Sequence, residues 1–264
     1  MMTTLTNIKN TYALYALQDE IGIITLNRPE RLNAISGELL HDFKLALNQA
    51  IEEPECRVII LHGNGRAFCS GDDLKEFAQQ SESEEATKAH ISAIQDITQL
   101  MMKCEKPIIG AIHGYAVGGA FEWLVNCDLV VAADDLKAFF PEMEWANFVT
   151  GGISYLLPLA VGHSRAMELI LLGEEQTAQR LLDFGLVNWV VPHEQMLEKA
   201  FAVAKKLTVK SSYSMGAFKK LVYQTLGDEL WKAVKVEEQI TIDAFMRPEA
   251  SERVQNFFNR KRKD

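Results

Sequence analysis

Two glutamates, Glu122 in GGAFEWL and Glu142 in FFPEMEW, stand among apolar and aromatic neighbours. A carboxyl in such surroundings holds its proton to higher pH than in water, which suits proton transfer near neutrality. Each also has an ordinary explanation. Glu122 lies three residues past Gly119, in what would be a first helical turn favoured by the helix dipole, and Glu142 fits a loop acid. A third segment, GNGRAFCSGDDLKEF (63–77), follows an apolar run and is rich in glycine. Such a turn can aim several backbone N–H groups at one oxygen, as an anion or oxyanion requires, though its composition also fits a plain turn. It is no dinucleotide fingerprint, because Phe68 stands where the third glycine belongs, and no Walker lysine follows.

The elements around these segments alternate. TYALYALQ and IGIITLNRP read as strands joined by a turn at 19–22. Ser36 is a natural N-cap for a helix over 36–51 with Leu39, Leu40, Phe43 and Leu47 on one side. CRVIILHG, KPIIGAIHG and DLVVAAD read as buried parallel strands, with a helix from about Gly119 between the last two. This predicts an α/β fold. The polar stretch QQSESEEATKAH (79–90) is expected to be a surface loop leading into a helix over 91–102. From Met196 onward four amphipathic helices follow, too thin a core to stand alone, so they should pack on the first region or on another subunit.

Composition narrows the function. The 264 residues are 48% hydrophobic and 24% charged, which excludes disorder and collagen-like structure. With 27 Lys and Arg against 36 Asp and Glu, the net charge of -9 opposes wide nucleic-acid binding but leaves room for a local basic pocket holding one phosphorylated ligand. Cys56, Cys69, Cys104 and Cys127 are scattered, so neither a disulfide framework nor a zinc site is expected. His62 and His113 read as structural, and Ser70 lacks the context of a nucleophilic serine. No targeting pattern and no apolar run of membrane-spanning length are seen, so a soluble, cytoplasmic protein is expected.

Taken together, LNRPERLNAIS, GRAFCSGDDLKEF, GYAVGGAFEWLVNCD and Pro141-Glu142 resemble the motifs of the crotonase (enoyl-CoA hydratase/isomerase) superfamily over almost the whole chain. The resemblance implies a ββα spiral core with two roughly perpendicular sheets over 1–195, containing an acyl-CoA site. It implies a helical trimerisation region over 196–264, giving a homotrimer or a dimer of trimers. It also implies an oxyanion hole from the amides of Ser70 and Gly119, with Glu122 and Glu142 holding a water. Coenzyme A, as part of the substrate and not a separate cofactor, would meet Arg31, the Ala67, Phe68 and Ser70 backbone, and Asp73. Phe257 and Arg260 would reach coenzyme A on a neighbouring subunit, and no metal would be needed.

The chemistry implied is addition of water to a trans-2-enoyl-CoA. Ala146, Val149 and Thr150 replace a glycine, a proline and a glycine of the family pattern and reshape the acyl wall, which Glu144 and Trp145 would also line. Ala120 and Arg253 likewise replace family glycines. These departures keep a Δ3,Δ2-enoyl-CoA isomerase using one glutamate as an alternative, alongside a non-catalytic acyl-CoA-binding module.

Overall fold

The computed structural model describes residues 11–80 and 83–261, and of 78–80, 257, 258, 260 and 261 the backbone only. Strands β1 (Ala13–Gln18) and β2 (Ile21–Leu26) form the expected hairpin, with Asp19 and Glu20 both at positive φ in its two-residue turn. Helix α1 (Gly37–Glu52) begins where Ser36 accepts a hydrogen bond from the Leu39 amide at 3.2 Å. After it come β3 (Val58–Gly63), α2 (Leu74–Gln80), α3 (Glu84–Lys103), β4 (Ile108–Ile112), β5 (Tyr115–Val117) and α4 (Gly119–Val125). The spiral continues through β6 (Leu129–Ala133), β7 (Lys137–Phe139), α5 (Ile153–Val161), α6 (His163–Leu172), β8 (Gln176–Thr177), α7 (Ala178–Phe184) and β9 (Trp189–Val191).

One sheet has the order β1-β2-β3-β4-β6-β9, parallel except for the β1-β2 hairpin, and a smaller sheet has the order β5-β7-β8. Two parallel bridges, Ile35 with Asp72 and Cys69 with Ala116, carry the smaller sheet's pairing into the loops. The large sheet is apolar on both faces, as a parallel sheet covered on both sides must be. Ile59, Leu61 and Ile108 face a core shared with α1, α3 and α4, while Ile60, Ile109 and Val131 face Ala200 and Ala204 of α8 (Met196–Thr208).

Helix α9 (Ser212–Phe245) is broken at Gly227, whose φ of 70° and ψ of -163° are not helical, so the four C-terminal helices read from the sequence are present with α10 (Pro248–Lys261). Ile242 and Phe245 of α9 and Val254 of α10 enter the main core. One expectation fails. The acidic stretch after 83 is helical: Ser83 caps α3 by accepting from the Ala86 amide, and Glu84 and Glu85 sit favourably in its first turn. Residues 81–82 lie outside the described residues. The short strands β5, β7, β8 and β9 were beyond the reach of the hydrophobic pattern.

Candidate active site

The loop from Gly63 to Asp73 is folded by residues early in the chain. Leu32 and Asn33 both have positive φ, which turns the Asn33 side chain inward. Its Nδ2 donates to the carbonyls of Asn64, Ala67 and Phe68 at 2.9–3.0 Å, and its Oδ1 accepts from the Arg28 amide at 2.7 Å. Arg28 in turn pairs with Asp73 at 2.9 Å. The next residues are tied alternately. Cys69 donates to Tyr115 O and accepts from the Val117 amide, Ser70 donates to Leu32 O at 3.0 Å, and Ile35 exchanges bonds with Gly71 O and the Asp73 amide.

The bridge to Ile35 decides which amide is available. In a parallel bridge the residue between the two bonds turns its own N–H outward, so Asp72, bracketed by the bonds of Gly71 O and the Asp73 amide to Ile35, points its N–H away from Ile35. Among the described residues the Asp72 amide makes no hydrogen bond. Ser70, expected to supply an oxyanion donor, spends its N–H on Leu32, which corrects that expectation.

Across from this loop, β5 is followed by Gly118, whose φ of +56° suits glycine, and whose N–H donates to Phe139 O at 3.0 Å. A Cβ here would stand 2.7 Å from Glu142 Oε1. The Gly119 amide opens α4, has no acceptor inside the helix, and makes no hydrogen bond among the described residues. Buried Phe121, Trp123 and Leu124 seat α4 in the core, and Trp123 packs edge-on against Phe43 at 5.0 Å.

Both glutamates are buried. Glu122 is 1% exposed and accepts the Thr150 amide on Oε1 at 2.7 Å and the Thr150 hydroxyl on Oε2 at 2.5 Å. Burial pushes it up to about 8, the two Thr150 bonds oppose this, and the charges of Glu237 and Asp72 add to it. Glu142 is held well above the usual carboxylate range by burial and by the charge of Glu122, and its Oε2 is buried without a hydrogen-bond partner among the described residues. The turn beyond it is closed by Ala146 at a φ of +53°, a left-handed conformation that glycine adopts more readily than alanine.

The loop carrying Thr150 is clamped from behind. Glu237 of α9 accepts the Gly152 and Ser154 amides, each at 2.7 Å, while Gln95 of α3 accepts the Gly151 amide and donates to Val234 O. Burial pushes Glu237 up to about 7 against the bonds it accepts.

A cavity of about 870 Å³ lies between these elements. Of the expected residues, Arg31, Ser70, Asp73, Gly119, Glu142, Glu144 and Trp145 line it, and Glu122 does not. Ala67 and Phe68 are fully buried, with their carbonyls bonded to Asn33. Phe257 and Arg260 are in α10 with side chains outside the described residues. The sequence reading missed the cavity-lining Asp72 and the roles of Gln95 and Glu237. Thr150 stood out only as a departure from a family glycine. Arg253, another such departure, donates to Glu144 O at 2.6 Å and so ties α10 to the cavity wall. Among the described residues there is no group of three His, Cys, Asp or Glu able to hold a metal, and no helix long and apolar enough to cross a membrane.

The family model described as enoyl-CoA hydratase/isomerase matches residues 16–264. The chain belongs to this family. A Bacillus subtilis (strain 168) protein named "Probable enoyl-CoA hydratase" is 31% identical over 94% of this chain and 95% of its own. "Enoyl-CoA hydratase, mitochondrial" of Pongo abelii is 29% identical over 92% of this chain and 82% of its own. A crystal structure of an enoyl-CoA hydratase/isomerase from Xanthobacter autotrophicus Py2 superposes with a TM-score of 0.83 at 29% identity, covering 96% of this chain and 93% of that one. The chain is thus an enzyme of the hydratase/isomerase family with the crotonase fold.

Proposed function

We propose that the cavity hydrates trans-2-enoyl-CoA thioesters. The observation that carries this reading is the pairing of Glu122 and Glu142: two buried carboxyls, one raising the other's proton affinity. Coupled buried carboxyls of this kind keep protons into the neutral range and lose them one at a time, so one can be charged while the other stays protonated, and hydration needs both a base and an acid. The charged carboxylate takes a proton from water as its oxygen bonds to the β-carbon. The protonated one delivers its proton to the α-carbon, giving the 3-hydroxyacyl thioester.

Between these events negative charge gathers on the thioester oxygen. The free amides of Asp72 and Gly119, both on cavity-lining residues, are the donors we assign to it. Losing one such donor costs about 3 to 4 kcal/mol in comparable sites. Arg31 and Lys75, exposed where they line the cavity, suit the phosphates of coenzyme A. A homotrimer or dimer of trimers would cover Leu159, Leu171, Leu172 and Phe218, which are 56–72% exposed.

One observation favours the isomerase instead. Glu142 lines the cavity, while Glu122 lies outside its lining with both oxygens on Thr150, an arrangement suited to a single carboxyl moving a proton between the α- and γ-carbons. The test is the ultraviolet absorbance of the conjugated thioester with trans-2-enoyl-CoA and 3-enoyl-CoA, using wild type, Glu122→Gln and Glu142→Gln. Loss of absorbance from the 2-enoyl thioester, abolished by either substitution, supports hydration. Gain from the 3-enoyl thioester that survives Glu122→Gln but not Glu142→Gln means isomerisation.

A further inference from the structure

Adjacent aspartates in the loop from Gly63 to Asp73, the cradle of the cavity, have different partners. Asp73 pairs with Arg28, whereas Asp72 lines the cavity with its carboxyl 27% exposed and lies 3.1 Å, Oδ1 to Nε2, from His90 of α3. A carboxylate can only accept, so Nε2 carries the proton and donates. The His90 side chain is 4% exposed, which fixes its direction by packing.

Asp72 therefore has conflicting groups if its amide serves the thioester oxygen. The N–H stabilises negative charge there, and a carboxylate on the same residue opposes it. The charge of Asp72 is felt by Glu122 and Glu142, so it acts on the reacting region.

We infer that His90 is a positioning residue that holds the Asp72 carboxylate turned from the oxyanion, letting Asp72 offer its amide without its charge. This rests on the oxyanion reading above. Replacing His90 by leucine frees the carboxylate to swing toward the developing charge, and replacing it by glutamine keeps a donor.

The experiment uses the full chain, with kcat and KM on the active enoyl-CoA and the ultraviolet absorbance of enolate formed by bound acetoacetyl-CoA as readouts. His90→Leu is expected to lower kcat and the enolate signal by about tenfold or more with a smaller change in KM, the scale of one displaced charge in a partly buried site. His90→Gln should lose less. On the Asp72→Asn background, His90→Leu should change either readout by no more than about threefold, because the charge it would release is gone.

Equal losses from His90→Leu on both backgrounds would show that His90 supports the fold and would overturn the inference. An enolate signal in wild type that His90→Leu leaves unchanged would overturn it too, while sparing the oxyanion reading. Absence of both enolate signal and turnover in wild type would remove that reading and this inference with it.

Discussion

Thr150 gives both of its donors to Glu122, the amide to Oε1 and the hydroxyl to Oε2. A glycine at this position would supply only the first. The hydroxyl stabilises the charged form of a carboxyl that burial pushes up to about 8. Thr150→Val keeps the shape and removes that donor. We expect kcat to fall by roughly tenfold or more, the value of a hydrogen bond to a charged group, and the limb of the pH-rate profile that Glu122 sets to move to higher pH. Thr150→Ser should retain both, and an unchanged profile in Thr150→Val would show that the hydroxyl does not tune Glu122.

The clamp by Glu237 predicts how stability depends on pH. The folded protein keeps the Glu237 proton up to about pH 7, while an unfolded chain releases it near the ordinary glutamate value of 4.5. Between these values the unfolded state binds fewer protons, so stability falls as pH rises through the window and the loss is complete above it. Full expression of the shift amounts to roughly 3 kcal/mol. Denaturant unfolding at pH 5 and pH 7.5 measures this, with Glu122 contributing in the same direction up to about pH 8. Glu237→Gln should flatten the dependence. A stability that rises across the window in wild type would contradict the assignment.

Gly118 is a position where one methyl group is too many. Its φ of +56° opposes a side chain, and so does Glu142 Oε1, which would lie 2.7 Å from any Cβ placed there. Gly118→Ala should cost about 1 to 3 kcal/mol of stability and displace Glu142, with at least about a tenfold loss of kcat. Thermal unfolding and turnover, measured together, separate the two effects.

Arg31 tests the placement of coenzyme A. As an exposed cation on the cavity lining, it should contribute to binding and not to chemistry. Arg31→Ala is expected to raise KM by about three- to tenfold with kcat unchanged, and the difference from wild type should shrink as salt rises. A fall in kcat alone would move Arg31 away from that role.

Much of the fold was legible because its signals are local. The Ser36 cap, the apolar runs of β2, β3 and β4, and the first-turn place of Glu122 follow from neighbouring residues. The site was legible where residue type carries the chemistry, as with Glu142 after Pro141. It was not legible where backbone direction decides. Ser70 and Asp72 are two residues apart on one loop, and only the bonds to Leu32 and Ile35 tell which amide is spent. Nor could local pattern show that Glu237 supports the loop of Thr150, since α9 reaches it only through tertiary packing.

Asn33 joins the segment after β2 to the loop after β3 through three carbonyls, and the Asn64 amide next to that tie bonds to Leu26 O. These bonds require β2 and β3 to be paired in their final register. The cradle is therefore not a unit that can melt and reform by itself; it belongs to the same cooperative opening as the central sheet, and its amides should exchange with solvent only as rarely as that sheet comes apart.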